Sequence, residues 1–331
     1  MKILFVFTGG TIGSTQTGSV ISTDSEKKYK LIDAYGEKYG IDFEYDLVEP
    51  YTELSENNTG WHIRTLVGCI KENISNEYDG VIVTHGTDTL QYSAAAIGYC
   101  FGISSLPICI VSANAPIESQ SSNALDNLHG AVSFIREGCG RGAFVLYRNS
   151  SSETIFVHRA TRLIASNAYS DEVISVGGMI YGMFNEKNDF VKNPAYHEAG
   201  DEAEPLNVYA LRDVSEDIVL IDPYVGMRYP AIDDGVKYVL LNTYHSGTLN
   251  TKSHEAIEFF DLARKKGVKI YASGASNGAI YSSAESFAAL GITPVRSISP
   301  VSAYVKLWLI SSLGKNAGEL LDASIGGDVA F

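Results

Sequence analysis

Two threonine-bearing segments, Thr8-Gly9-Gly10-Thr11-Ile12-Gly13 and Thr84-His85-Gly86-Thr87-Asp88-Thr89, hold the residue types that acyl transfer requires. A hydroxyl nucleophile is weak until a neighbour withdraws its proton, and the carbonyl it attacks needs donors for its developing negative charge. Thr87 beside Asp88 on one turn, with Thr11 across a crevice, supplies those groups. Each segment follows an apolar run, Ile3 to Phe7 in one case and Gly80 to Val83 in the other, so each puts a threonine just past a strand end. In an open parallel sheet, ligands bind beyond the carboxyl ends of the strands, and both hydroxyls are expected to face one pocket. Either segment alone reads as a turn or a helix N-cap; the pair is what points to a threonine-based site.

The elements that must position these residues follow from the apolar pattern. Strands are expected at Ile3 to Phe7, Gly80 to Val83, Pro107 to Val111 and Ala143 to Leu146, and helices at Gly60 to Asn73, Leu90 to Phe101 and Ser122 to Glu137. That alternation predicts parallel βαβ units with helices on both faces of the sheet. The segment 185–207 is rich in Glu, Asp and Pro with little apolar periodicity and reads as a linker. Beyond it, strands are expected at Asp217 to Ile221, Tyr238 to Asn242 and Lys269 to Ala272. Helices follow at Ser253 to Lys266 and Pro300 to Leu313, with Ser253 and Ser299 as N-caps. The predicted fold class is α/β: a larger N-terminal domain over 1–184 with a mainly parallel sheet flanked by helices, the linker, and a smaller α/β domain over 208–331.

Composition narrows the function classes. The 331 residues carry 25 Lys plus Arg against 39 Asp plus Glu, a formal charge of −14, and show no basic patch. A nucleic-acid surface is therefore not expected. No segment approaches the roughly 20 apolar residues of a membrane helix, and the four cysteines form neither a CxxC pair nor a zinc spacing. These features point to a cytoplasmic protein with no membrane partner, no metal and no cofactor. Gly274-Ala275-Ser276-Asn277-Gly278 matches a nucleophile elbow, but that hydrolase fold needs a histidine after the serine and the last one here is His254. His85 has no metal-ligand spacing to the other histidines and reads as a hydrogen-bonded core histidine.

Thr-Gly-Gly-Thr-Ile-Gly near the start, together with His-Gly-Thr-Asp-Thr after a later strand, resembles the bacterial-type L-asparaginases and glutaminase-asparaginases. The resemblance runs over nearly the whole chain and includes Tyr244-His245-Ser246-Gly247-Thr248. It implies that Thr11 attacks the side-chain amide of an amino-acid substrate to form an acyl-enzyme, while Thr87 and Asp88 orient substrate and water. It implies that Ser55 holds the α-carboxylate, that Glu56 stands at the position facing the ammonium, and that Ser112 and Ala113 contact the side-chain amide. It also implies a homodimer or homotetramer.

Two positions depart from the family pattern. Ala160-Thr161-Arg162 occupies the place of a segment ending in lysine, and Ser19 stands where a lid tyrosine is expected, with Tyr29 the nearest phenol. A guanidinium stays protonated, so Arg162 is expected to orient Asp88 but not to take a proton from Thr87. The expected function is ammonia release from L-asparagine or L-glutamine; the alternative is an amino-acid-binding protein with little turnover. A third reading, a tRNA-dependent amidotransferase component built on the same core, is expected to carry a further N-terminal module.

Overall fold

Strand β1 (Lys2–Phe7) is buried at every position from Ile3 to Phe7, as a strand covered on both faces must be. The computed structural model describes every residue except 11, 13, 18, 19, 24–26, 104, 202 and 276–280, and for 14–17, 20–23, 27–29 and 296 only the backbone. Thr11, Ser19 and Ser276 thus lie outside the described residues. After β1, the chain forms a hairpin of β2 (Ser14–Thr17) and β3 (Val20–Thr23), then α1 (Lys27–Tyr39), β4 (Glu44–Val48), α2 (Gly60–Asn73), β5 (Gly80–Thr84), α3 (Leu90–Phe101), β6 (Ile108–Val111) and α4 (Ala124–Arg136). The strands β7 (Ala143–Arg148), β8 (Ile155–Arg159), β9 (Gly182–Phe184) and β10 (Phe190–Lys192) complete the first half.

These strands build an eight-stranded sheet in the order β10-β9-β8-β7-β6-β5-β1-β4. The pairs from β4 through β7 are parallel, and β8, β9 and β10 add on antiparallel. The period-2 pattern sorts side chains to two faces. Leu4, Val6, Val81, Val83, Ile108 and Ile110 pack against α2 and α3, whereas Ile3, Phe5, Ile82, Cys109 and Val111 pack against α1 and α4.

The expected linker is not free of the sheet. Its first residues close the β9–β10 hairpin, and farther on Tyr196 and Leu206 are buried, with Leu206 N donating to Tyr99 O at 2.8 Å. Beyond it, β11 (Ile218–Ile221), β12 (Tyr238–Asn242), α5 (His254–Lys265), β13 (Lys269–Ala275), α6 (Ser282–Glu285), β14 (Ile292–Arg296), α7 (Pro300–Ser312) and α8 (Ala317–Asp322) follow. The four strands make a second, all-parallel sheet. Ser253 and Ser299 cap their helices, accepting from Ala256 N and Ser302 N. Helix α7 is buried almost all round, and its Ala303, Leu307 and Ile310 join the cluster that includes α2, α3 and residues of both sheets.

Candidate active site

Three loops meet at the carboxyl ends of β1, β4 and β5. Past β1, Thr8 Oγ1 donates to Thr84 O at 2.7 Å, which ties the two strand ends together. Gly10 then packs on Gly86: a Cβ on Gly10 would lie 2.3 Å from Gly86 N, and one on Gly86 would lie 2.5 Å from Ser55 Oγ. No side chain fits at either position, so the backbone of one threonine motif lies directly against the other. Past β4, Glu53 O accepts from Gly10 N and Glu53 N donates to Thr8 O, both at 3.1 Å. The chain continues into a 3-10 turn, Ser55–Asn57, whose Ser55 is buried and whose Glu56 is exposed.

Past β5, His85 is fully buried between the layers. Its Nδ1 lies 2.8 Å from Gly86 O and its Nε2 3.3 Å from Asn58 Nδ2. A carbonyl can only accept and an amide nitrogen can only donate, so the ring is the neutral Nδ1–H tautomer. Burial lowers its pKa, with the bond to Gly86 opposing that shift. The sequence reading of His85 as a hydrogen-bonded core residue agrees with this geometry. Thr89 is the N-cap of α3, but its hydroxyl accepts no N–H of its own helix and donates to Ser55 O at 2.8 Å. The start of α3 is thereby tied to the β4 loop.

Thr87 is half-buried and Asp88 exposed, and both line a cavity of about 670 Å³. Leu90, Gln91 and Asn114 share its wall, and residues of the segment 163–173 form the rest. The ends of that segment are joined by a bridge between Leu163 and Ser175. Asn149 clamps it by accepting from Val173 N at 2.9 Å and donating to Val173 O at 3.2 Å, and Ser150 and Ser151 donate to Asp171 and Glu172. Ser112 and Ala113 are fully buried at the end of β6 and do not line the cavity; Asn114, the next residue, does. The strand-end rule was the signal for Asn114. Nothing in composition or spacing marked 163–173.

Arg162 is expected to orient Asp88, and none of its described hydrogen bonds goes to that carboxylate. It is fully buried at the end of a 3-10 turn, Ala160–Arg162, with its guanidinium 4.3 Å from the Tyr196 ring centroid. Its Nε donates to Gly327 O at 2.7 Å and its Nη2 to His197 O and Val329 O at 2.8 and 2.6 Å. Backbone carbonyls take the Nε and Nη2 donors while the buried Nη1 meets no acceptor among the described residues, and burial pulls the pKa down. In the β4 loop it is Glu53, not Glu56, whose carboxylate holds the turn together. It accepts from Asn57 Nδ2 and Leu54 N, and those bonds keep its pKa low.

Residues 2–187 match the family model for the asparaginase N-terminal domain. The chain belongs to the asparaginase family. Among relatives of the family, it is 27% identical over 291 residues to a glutamyl-tRNA(Gln) amidotransferase subunit of Methanococcus maripaludis, covering 83% of this chain and 68% of the relative. The namesake protein of Thermofilum pendens is 27% identical over 328 residues, covering 93% and 70%. The thermostable L-asparaginase from Thermococcus kodakarensis superposes with a TM-score of 0.78 at 19% identity, covering 100% of both chains. L-asparaginase I from Vibrio cholerae gives 0.77 at 18%, covering 100% of this chain and 99% of the other. The fold is the asparaginase fold, and with the family it supports an amide-hydrolysing activity. Among the described residues, no helix is long and apolar enough to cross a membrane.

Proposed function

We propose that this chain releases ammonia from the side-chain amide of L-asparagine, with L-glutamine as the other substrate, by acyl transfer to Thr11. The observation that carries the reading is the contact of Gly10 with Gly86, which sets the residue before Thr11 against the residue before Thr87, and Thr87 lines the cavity. Thr11 Oγ attacks the carboxamide carbon and its proton leaves with the departing ammonia. Water then attacks the resulting ester, releasing aspartate and restoring the hydroxyl. Thr87 and Asp88 orient the amide and that water. Ser55 stands behind Gly86 on the carboxylate side, with Glu56 on the solvent side; Ser112 and Ala113 support the amide side through Asn114. The working form is a homodimer or homotetramer in the cytoplasm.

Ammonia release by the purified chain from L-asparagine, L-glutamine and their D-isomers tests this. Release from an L-amide, lost by at least about a thousandfold in Thr11→Val, is expected. Binding of L-asparagine without release from any amide would overturn the hydrolase in favour of an amino-acid-binding protein. The names of the relatives favour a second reading, in which the ammonia serves an amidotransferase made with a partner protein. Release that appears only when such a partner is added would select it.

A further inference from the structure

The segment 324–330 lies as a strap across the joint between the two sheets. On one side it is held by the turn that precedes the cavity wall: Thr161 Oγ1 donates to Gly326 O at 2.9 Å, and Arg162 donates to Gly327 O and Val329 O. On the other side it is keyed into α7 and α3. Asp328, fully buried, pairs with the equally buried Lys306 at 2.8 Å and accepts from Tyr99 OH at 3.1 Å. Helix α7 grips the same turn directly, since Ser302 Oγ donates to Thr161 O at 2.6 Å and Ser299 Oγ donates to Leu163 O. Leu163 follows Arg162 and is the first residue of the 163–173 wall.

We propose that the strap fixes where the 163–173 wall stands relative to Thr87 and Asp88, and that Arg162 is a positioning residue acting through the strap. This rests on the hydrolase reading for its kinetic consequence. Three carbonyls converging on one side chain suit a rigid fork of donors, which an ammonium cannot reproduce. The nucleophile and the Thr87–Asp88 turn sit on other elements, so loosening the strap should disturb substrate binding more than the chemical step.

Gly326→Ala displaces the strap without touching a charge or a cavity residue, because the added Cβ would lie 2.5 Å from Gly98 O at a φ of +64°. We expect KM for L-asparagine to rise about tenfold with kcat within about twofold. Amide hydrogen exchange across 163–175 should speed up while α5 keeps its rate. Arg162→Lys, which keeps the charge but not the fork, should fall between the wild type and Arg162→Met in KM. It reads the same split if the glycine variant does not fold. An unchanged KM in these variants, or a loss of kcat at constant KM, overturns the proposal. Should the wild type release no ammonia at all, the exchange measurement still decides: unchanged protection over 163–175 overturns the strap's role, and lost protection upholds it while the hydrolase reading alone fails.

Discussion

Gly86 shows how little room the site leaves at the level of one residue. A Cβ at Gly86 would lie 2.5 Å from Ser55 Oγ and 2.7 Å from Ser55 Cβ, so Gly86→Ala must displace Ser55 and the β4 loop from the turn that carries Thr87. Its overpacking cost is about 1–3 kcal/mol, but a shift near 1 Å at a reacting centre costs about a hundredfold in rate. We therefore expect kcat/KM to collapse while a melting curve moves only modestly. His158 gives a second prediction. It is buried on β8, its Nδ1 is 2.8 Å from Ser175 Oγ, and burial pulls its pKa from 6.5 to about 4. Between those values the unfolded chain binds a proton that the folded chain refuses. Stability is thus complete above about pH 6.5 and falls as the pH drops toward 4, by about 3 kcal/mol over the window. Denaturant unfolding from pH 7 to pH 4.5 should show that slope, and His158→Gln should flatten it.

Among the elements, the helices and the central strands were the legible part. The bounds of α2 and α3 match their apolar spacing, and Ser253 and Ser299 cap as their positions predict. The strands that the apolar pattern does not mark lack the signal. Residues Glu44 to Asp46 of β4 are exposed at the sheet edge, and β9 and β10 have three residues each. The placement of Arg162 was illegible for another reason: the nearest of its strap partners lies 165 residues away and is a backbone carbonyl, which no side-chain pattern announces. The two serine caps make a prediction at this scale. Ser253→Ala loses a cap worth about 1 kcal/mol. Ser299→Ala loses a cap and also leaves Leu163 O without its donor in a buried place, so it should cost about 1–3 kcal/mol more in chemical denaturation. Equal losses for the two would remove the link between α7 and the base of the cavity wall.

Across the whole molecule, the two sheets share one apolar cluster through α7, with the Lys306–Asp328 pair at its edge. Removing one member of a fully buried pair leaves an uncompensated charge, at a cost of about 3–5 kcal/mol. Lys306→Met should lower the stability by that amount in a calorimetric scan that still shows a single transition; two separate transitions would mean that the halves unfold independently. The order of strands in the large sheet has a different consequence. β1 lies between β4 and β5, with Ile3 opposite both Tyr45 and Gly80. The earliest strand therefore waits, with both edges bare and every inward residue apolar, until strands from much later in the chain arrive. Parallel pairings over such separations close slowly, so the hazard in making this protein lies in the interval before β5 reaches β1, when an unpaired apolar strand is open to other chains.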